Sequence, residues 1–283
     1  MKHLTILHKI FSNNSFPLRG IRNSLVQVFS ILLLGSIITT ALQAQTVVTH
    51  NIGTDGNLII PGNSTNNYIV TGTTTTNIIT VQSGYKGTIT LRNLNITSSK
   101  TLSPSGNYGM SGVSCITVEG EYNGNNLIPI TRVEVTLEGN NTLTYTANNA
   151  GCAFQVNQGA QVHINSIDRN DNTKGKLTAT TSGTGSAGIG APYFISSNYT
   201  GQGTSVITNG GGQYPPNRNS TAGGNIIIGS GTVVAKANAH GAGIGGAWYT
   251  YYNGIIIVYG GDVSSTSGMH AAGIGSGCPR LIV

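Results

Sequence analysis

Charge is scarce in this chain: 8% of its 283 residues are Asp, Glu, Lys or Arg, and only eight of those are acidic. Chemistry that needs clustered carboxylates therefore has few candidates. Cysteine is almost as rare, with Cys115, Cys152 and Cys278 spaced too widely for a disulfide framework. A Cys115–Cys152 bridge and buried free thiols both remain open. Glu, Lys, Ala and Leu are too few for a helical protein, while a hydrophobic content of 38% is too high for a disordered one. What is abundant is glycine, 41 residues of it, together with Thr, Ser, Asn, Val, Ile and Tyr. Thr, Val, Ile and Tyr favour strands, and Gly and Asn favour the turns between them, so the expected class is all-β.

The first 44 residues read differently. Lys2, Lys9, Arg19 and Arg22 precede the apolar run Leu25 to Ile38, and small residues lead to Ala44. That order describes residues 1–44 as a secretory signal peptide cut after Ala44, with an uncleaved membrane anchor as the alternative. The expected location is outside the cell or at its surface, and the only membrane contact expected is through that segment if it is retained. Its four cations leave with it, so residues 45–283 carry ten basic against eight acidic residues, a net of +2. No dense Lys/Arg cluster survives, which argues against a nucleic-acid partner. Residues 45–283 contain no linker and read as a single domain.

The most informative pattern is a repeat. His240-Gly241-Ala242-Gly243-Ile244-Gly245-Gly246 returns thirty residues later as His270-Ala271-Ala272-Gly273-Ile274-Gly275-Ser276, and Ser186-Ala187-Gly188-Ile189-Gly190-Ala191 is an earlier copy without the histidine. Residues 225–247 align on 255–277 without a gap, placing Ile226 on Ile256, Gly231 on Gly261 and Val233 on Val263. A fixed period of this size marks a solenoid. Each period holds three strand-like pieces, near 225–228, 232–235 and 242–245, which suits a three-sided parallel β-helix rising about 4.8 Å per coil. The strand period of two turns Ile189, Ile244 and Ile274 inward into a ladder. The same parity sets Gly188, Gly190, Gly243, Gly245, Gly273 and Gly275 outward as a bare stripe. Alternatively, these glycines provide positive φ at a corner.

Upstream, 68–72, 78–81, 88–96, 131–137, 140–147, 153–156 and 160–164 read as further strands. The succession NNTLTYTANNAGCAFQV, QGAQVHI, GKLTATTSGTGSAGIG, NIIIGSGTVVAKANAHGAGIGG and GIIIVYGGDVSS with AAGIGSG resembles repeat-containing, adhesin-like bacterial surface proteins with a pectate-lyase-like fold. The likeness covers residues 139–277 well and 46–138 weakly. It implies a right-handed parallel β-helix and a carbohydrate-binding or adhesive role.

Candidate chemistry is sparse. Glu119/Glu121 and Glu134/Glu138 are each spaced to share a strand face, as a glycosidase pair would, although a solvated outer face explains them equally. Asp168, Asn170 and Asn172 set side-chain oxygens at alternate positions, as a calcium loop does. Thr173 stands where such a loop requires Gly, however, and Ala179 where it requires Glu. A polar turn explains the same stretch, and no cofactor motif is present. His240 and His270 fall one coil apart, as two metal ligands or as duplicated turn residues. Seven of the twelve tyrosines lie between residues 193 and 259, with Tyr193 and Phe194 after one glycine motif and Trp248, Tyr249, Tyr251 and Tyr252 after the next. Flat rings beside a glycine motif can stack on sugars, so these six are the candidate carbohydrate contacts.

The expected function is therefore an exported, non-enzymatic β-helix that displays a binding face for a glycan or other surface polymer. A polysaccharide lyase or glycoside hydrolase of the same fold is the alternative, and a structural stalk with a threonine face without a ligand is the second. The repeat breaks off at Cys278-Pro279-Arg280-Leu281-Ile282-Val283 without a polar cap. This leads to the expectation that the chain continues in a longer protein or that a partner covers the last coil.

Overall fold

Thr, Val and Ile alternate through most of the chain, and they build an all-β molecule. The structure is a computed structural model that describes residues 45–100, 113–121, 128–147, 151–192, 223–248 and 254–277. In chain order the strands are β1 (Val47–Asn51), β2 (Leu58–Ile60), β3 (Asn67–Thr74), β4 (Ile79–Val81), β5 (Lys86–Ser98) and β6 (Ile116–Val118). They continue with β7 (Thr131–Tyr145), β8 (Phe154–Val156), β9 (Ala160–Ser166), β10 (Gly175–Thr184), β11 (Ile189–Gly190) and β12 (Asn225–Ile228). The last five are β13 (Thr232–Asn238), β14 (Ile244–Gly245), β15 (Ile256–Val258), β16 (Asp262–Thr266) and β17 (Ile274–Gly275). A single turn of 3-10 helix, Asn172–Lys174, interrupts them. No helix among the described residues is long and apolar enough to cross a membrane.

Through β8 the chain alternates between two sheets, and from β9 on two strands of the first sheet precede each strand of the second. One follows the order β1-β3-β5-β7-β10-β13-β16, with β9, β12 and β15 alongside, and the other is β2-β4-β6-β8-β11-β14-β17. Every pairing between these strands is parallel, including β1 with β3, β7 with β9 and with β10, and β14 with β17. In the second sheet Leu58, Ile79, Ile116, Phe154, Ile189, Ile244 and Ile274 are register partners in a single row. The N–H of each row member from Leu58 to Ile244 reaches forward to the next rung: Leu58 donates to the Ile78 carbonyl at 3.0 Å, Ile189 to Gly243 at 3.0 Å and Ile244 to Gly273 at 2.9 Å. Side chains of this row point inward and are buried from Leu58 through Ile244. The isoleucine ladder read from three glycine motifs is thus the end of a longer row.

Two strands differ from expectation. Residues 131–137 and 140–147 were separable as two strands, yet β7 is continuous to Tyr145, and β5 likewise runs to Ser98. Both bend in mid-course, β5 at Asn93 (φ 47°) and β7 at Gly139 (φ 68°). The first half of β7 pairs with β9 and the second half with β10. Asn141 sits buried at this bend, where its Oδ1 accepts from Leu94 N at 2.9 Å and its Nδ2 donates to Lys176 O at 3.2 Å. A polar side chain is tolerated there because it pairs with backbone groups on either side.

The glycine stripe is corrected. Gly188, Gly190, Gly243 and Gly245 are buried, not set on an outer surface, and Gly273 and Gly275 are half-buried. Each copy of the motif is a short closed arc: Ala187 N donates to Ala191 O at 3.1 Å, Ala242 N to Gly246 O at 2.9 Å, and Ala272 N to Ser276 O at 3.1 Å. Gly190, Gly245 and Gly275 hold φ of 136°, 129° and 131°, a backbone region that disfavours any L side chain. Gly243 serves a different need. A Cβ there would press on Ser265 Oγ and the Thr266 backbone, so the first glycine of the arc permits close approach to the neighbouring rung. Cys115 and Cys152 are free and buried, which settles their alternative in favour of thiols, and Cys278 lies outside the described residues.

Candidate binding surface

The arcs position one described aromatic. Trp248 leaves the second copy with its backbone N–H bonded to Gly185 O at 2.6 Å, and it packs on Ala191, which ends the first arc, and on Ala247, which follows the second. Its ring lies 4.4 Å from that of His240 at 31°, and the His240 ring lies 5.8 Å from His270 at 13°. Three rings from two neighbouring copies of the motif thus form one continuous stack, each half-buried or exposed. His240 Nδ1 is 3.2 Å from the Met269 carbonyl, so this nitrogen is the protonated one and fixes the ring. His270 itself holds a positive φ of 63°. Near-parallel imidazoles direct their lone pairs side by side and do not converge on a shared ion. Ring contact is what the histidine repeat provides.

Of the six candidate carbohydrate contacts, Trp248 is described, whereas Tyr193, Phe194, Tyr249, Tyr251 and Tyr252 lie outside the described residues. The Asp168 loop uses its oxygens on itself. Asp168 Oδ1 accepts from Asn170 N at 3.0 Å, and Asp171 Oδ1 accepts from the Thr173 hydroxyl at 2.6 Å and from Thr173 N at 2.9 Å, which hold the Asp171 carboxyl below the usual carboxylate range. Asn172 Oδ1 accepts from Gly231 N at 2.8 Å, fastening the loop to the turn before β13. Among the described residues no three His, Cys, Asp or Glu side chains are grouped to hold a metal ion.

The two carboxylates of β7 have separate partners. Glu138 binds Arg92 at 2.7 Å, and Glu134 lies 3.0 Å from His163. Glu119 is half-buried beyond β6, where desolvation raises its pKa and a backbone hydrogen bond from Ser83 partly offsets that rise. On the outer surface of the first sheet, register aligns Asn95, Thr142 and Thr178 in one row and Thr97, Thr144 and Thr180 in the next. The run Thr73-Thr74-Thr75-Thr76 is not itself such a face: Thr73 pairs with Asn95 at the head of the first row, but Thr74 is buried. The signal was the spaced Thr-Leu-Thr and Thr-Ala-Thr of β7 and β10, which only the register joins. No family model, curated protein or solved structure matches the chain.

Proposed function

We propose that residues 45–283 form a right-handed parallel β-helix with three short strands per coil, exported behind residues 1–44, that displays a glycan-binding face without cleaving the polymer. From β9 on, two strands of the first sheet precede each strand of the second, which supports three short strands per coil, and right-handed crossovers between parallel strands are the rule. The observation that carries the binding role is the Trp248–His240–His270 stack. Flat rings held by packing on one another, with the His240 ring also tied to Met269 O, lose little freedom when a sugar ring stacks on them. Glu138 pairs with Arg92, Glu134 with the His163 imidazole and Glu119 with backbone, which supports binding over hydrolysis. The threonine rows favour the stalk as the second reading.

The test is a broad glycan array probed with the purified chain and with Trp248→Ala. Removing one stacking aromatic is worth on the order of 0.5–1.5 kcal/mol, so affinity should fall up to roughly tenfold while the melting temperature stays near that of the parent. Absence of binding to every glycan would favour the stalk. Release of reducing ends or unsaturated products from a polysaccharide would defeat the non-enzymatic reading.

A further inference from the structure

A second group of reactive side chains sits on the outer surface of the first sheet, away from the ring stack. Glu134 of β7 and His163 of β9 are register partners, and Tyr259 directly follows β15. His163 Nδ1 is 3.0 Å from Glu134 Oε1, and His163 Nε2 is hydrogen-bonded to the Tyr259 hydroxyl. The proton positions follow from what each group can do. A carboxylate only accepts, so Nδ1 carries the N–H. In the neutral imidazole Nε2 is then the lone pair, and the phenol must donate to it. A carboxylate that orients an imidazole, with the imidazole poised on a hydroxyl, is the arrangement that activates oxygen nucleophiles.

The fold makes specific room for this chain of bonds. β12 lies between β9 and β15, so Tyr259 must cross an intervening rung to reach His163. It passes over Gly229, where any Cβ would collide with the Tyr259 ring and hydroxyl. Ile227 and Ile257 continue the outward row of Glu134 and His163, giving the group an apolar side. The histidine side chain is 17% exposed, whereas Tyr259 is 62% exposed. The base is shielded and the nucleophile is within reach of a reagent.

We propose that Tyr259 is a base-activated nucleophile that accepts an acyl group from an electron-poor ester. The phenol proton passes to His163 Nε2 as the Tyr259 oxygen bonds to the acyl carbon. The ester C–O bond then breaks, and the departing alkoxide or phenoxide takes its proton from the imidazolium, leaving an O-acyl tyrosine and a neutral histidine. Glu134 acts as a positioning residue that stabilises the transient imidazolium. This site is separate from the glycan-binding reading and does not depend on it.

The probe is p-nitrophenyl acetate on the full chain, with the acetylated residue located by peptide mass mapping. Tyr259 should be labelled at least about tenfold faster than N-acetyltyrosinamide in the same tube, a comparison that needs no variant, and equal rates would overturn the proposal. Tyr259→Phe keeps the ring and should abolish the label. General-base assistance typically contributes about 10²-fold or more, so His163→Ala should slow labelling by about that factor and added imidazole should restore part of it. Labelling of His163→Ala at the parent rate would overturn the role of the base. Glu134→Gln should slow labelling with the melting temperature unchanged, and Glu134→Asp, which keeps the carboxylate, should restore part of the rate. Labelling of Glu134→Gln at the parent rate would remove Glu134 from the mechanism.

Discussion

The second and third copies of the glycine motif share a backbone and differ in everything around it. Both close the same arc, Ala242 to Gly246 at 2.9 Å and Ala272 to Ser276 at 3.1 Å, and both set their second glycine at φ near 130°, at 129° and 131°. Yet Ile244 is 0% exposed while Ile274 is 45% exposed. The arc is thus a local property of Ala-Gly-Ile-Gly, and burial is supplied by the next rung. β14 has β11 on one side and β17 on the other, whereas β17 pairs with β14 alone among the described residues. The same contrast runs through the other strands of this rung: Ile228 is buried and its partner Val258 is 43% exposed.

The largest expected effect breaks the ladder on its covered side. Ile244→Asp buries an unpaired charge and should lower stability by several kcal/mol, whereas Ile274→Asp leaves its carboxylate at the surface and should lower it by about 1 kcal/mol or less. Urea unfolding of the pair would check this, and equal losses would contradict it.

The glycines sharpen the contrast by separating strain from collision. At Gly245 an added Cβ meets the Gly275 carbonyl as well as an unfavourable φ, while at Gly275 its nearest contact is Ala272 Cβ at 3.5 Å. Gly275→Ala should therefore cost about 1–3 kcal/mol from the backbone alone, and Gly245→Ala more than that. Thermal melts of the two variants measure the difference.

Much of this was legible beforehand. The gapless alignment of 225–247 on 255–277 and the period of two placed Ile244 inward, because side-chain parity needs no knowledge of the partner strand. The burial of the glycines was not legible, because it depends on Ser265 and Thr266 pressing against Gly243 from another rung. The continuity of β7 through Gly139 was hidden by a Gly-Asn-Asn stretch that reads locally as a turn, while Asn141 binds the backbone of its neighbours. The Trp248 stack was half-read. Its residues were singled out separately, as a sugar contact and as a histidine repeat, and only the rung spacing shows that they touch. Nothing local joins His163 to Tyr259, which are 96 residues apart.

The smallest effect concerns the covered rungs under alkali. Burial pushes the Cys115 thiol from 9.0 up to about 12, with backbone hydrogen bonds partly opposing the shift. Burial also raises the neighbouring Tyr145 hydroxyl from 10.0 to about 12. Groups raised in the fold favour it fully below their unfolded values and lose that contribution as pH climbs through the folded ones. Stability should accordingly hold up to about pH 9 and decline between 9.0 and about 12. Cys115→Ala should soften the decline in a pH series of urea midpoints, and an identical slope in that variant would remove Cys115 as a contributor.

Residue-resolved amide hydrogen exchange tests the stacking of rungs most directly. Ile189 and Ile244 donate to Gly243 and Gly273 of the following rung at 3.0 and 2.9 Å, whereas β17 has no following rung among the described residues. Parallel stacking predicts slow exchange at Ile189 and Ile244 and fast exchange at Ile274, despite the three identical arcs. Equal protection at all three amides would contradict the account.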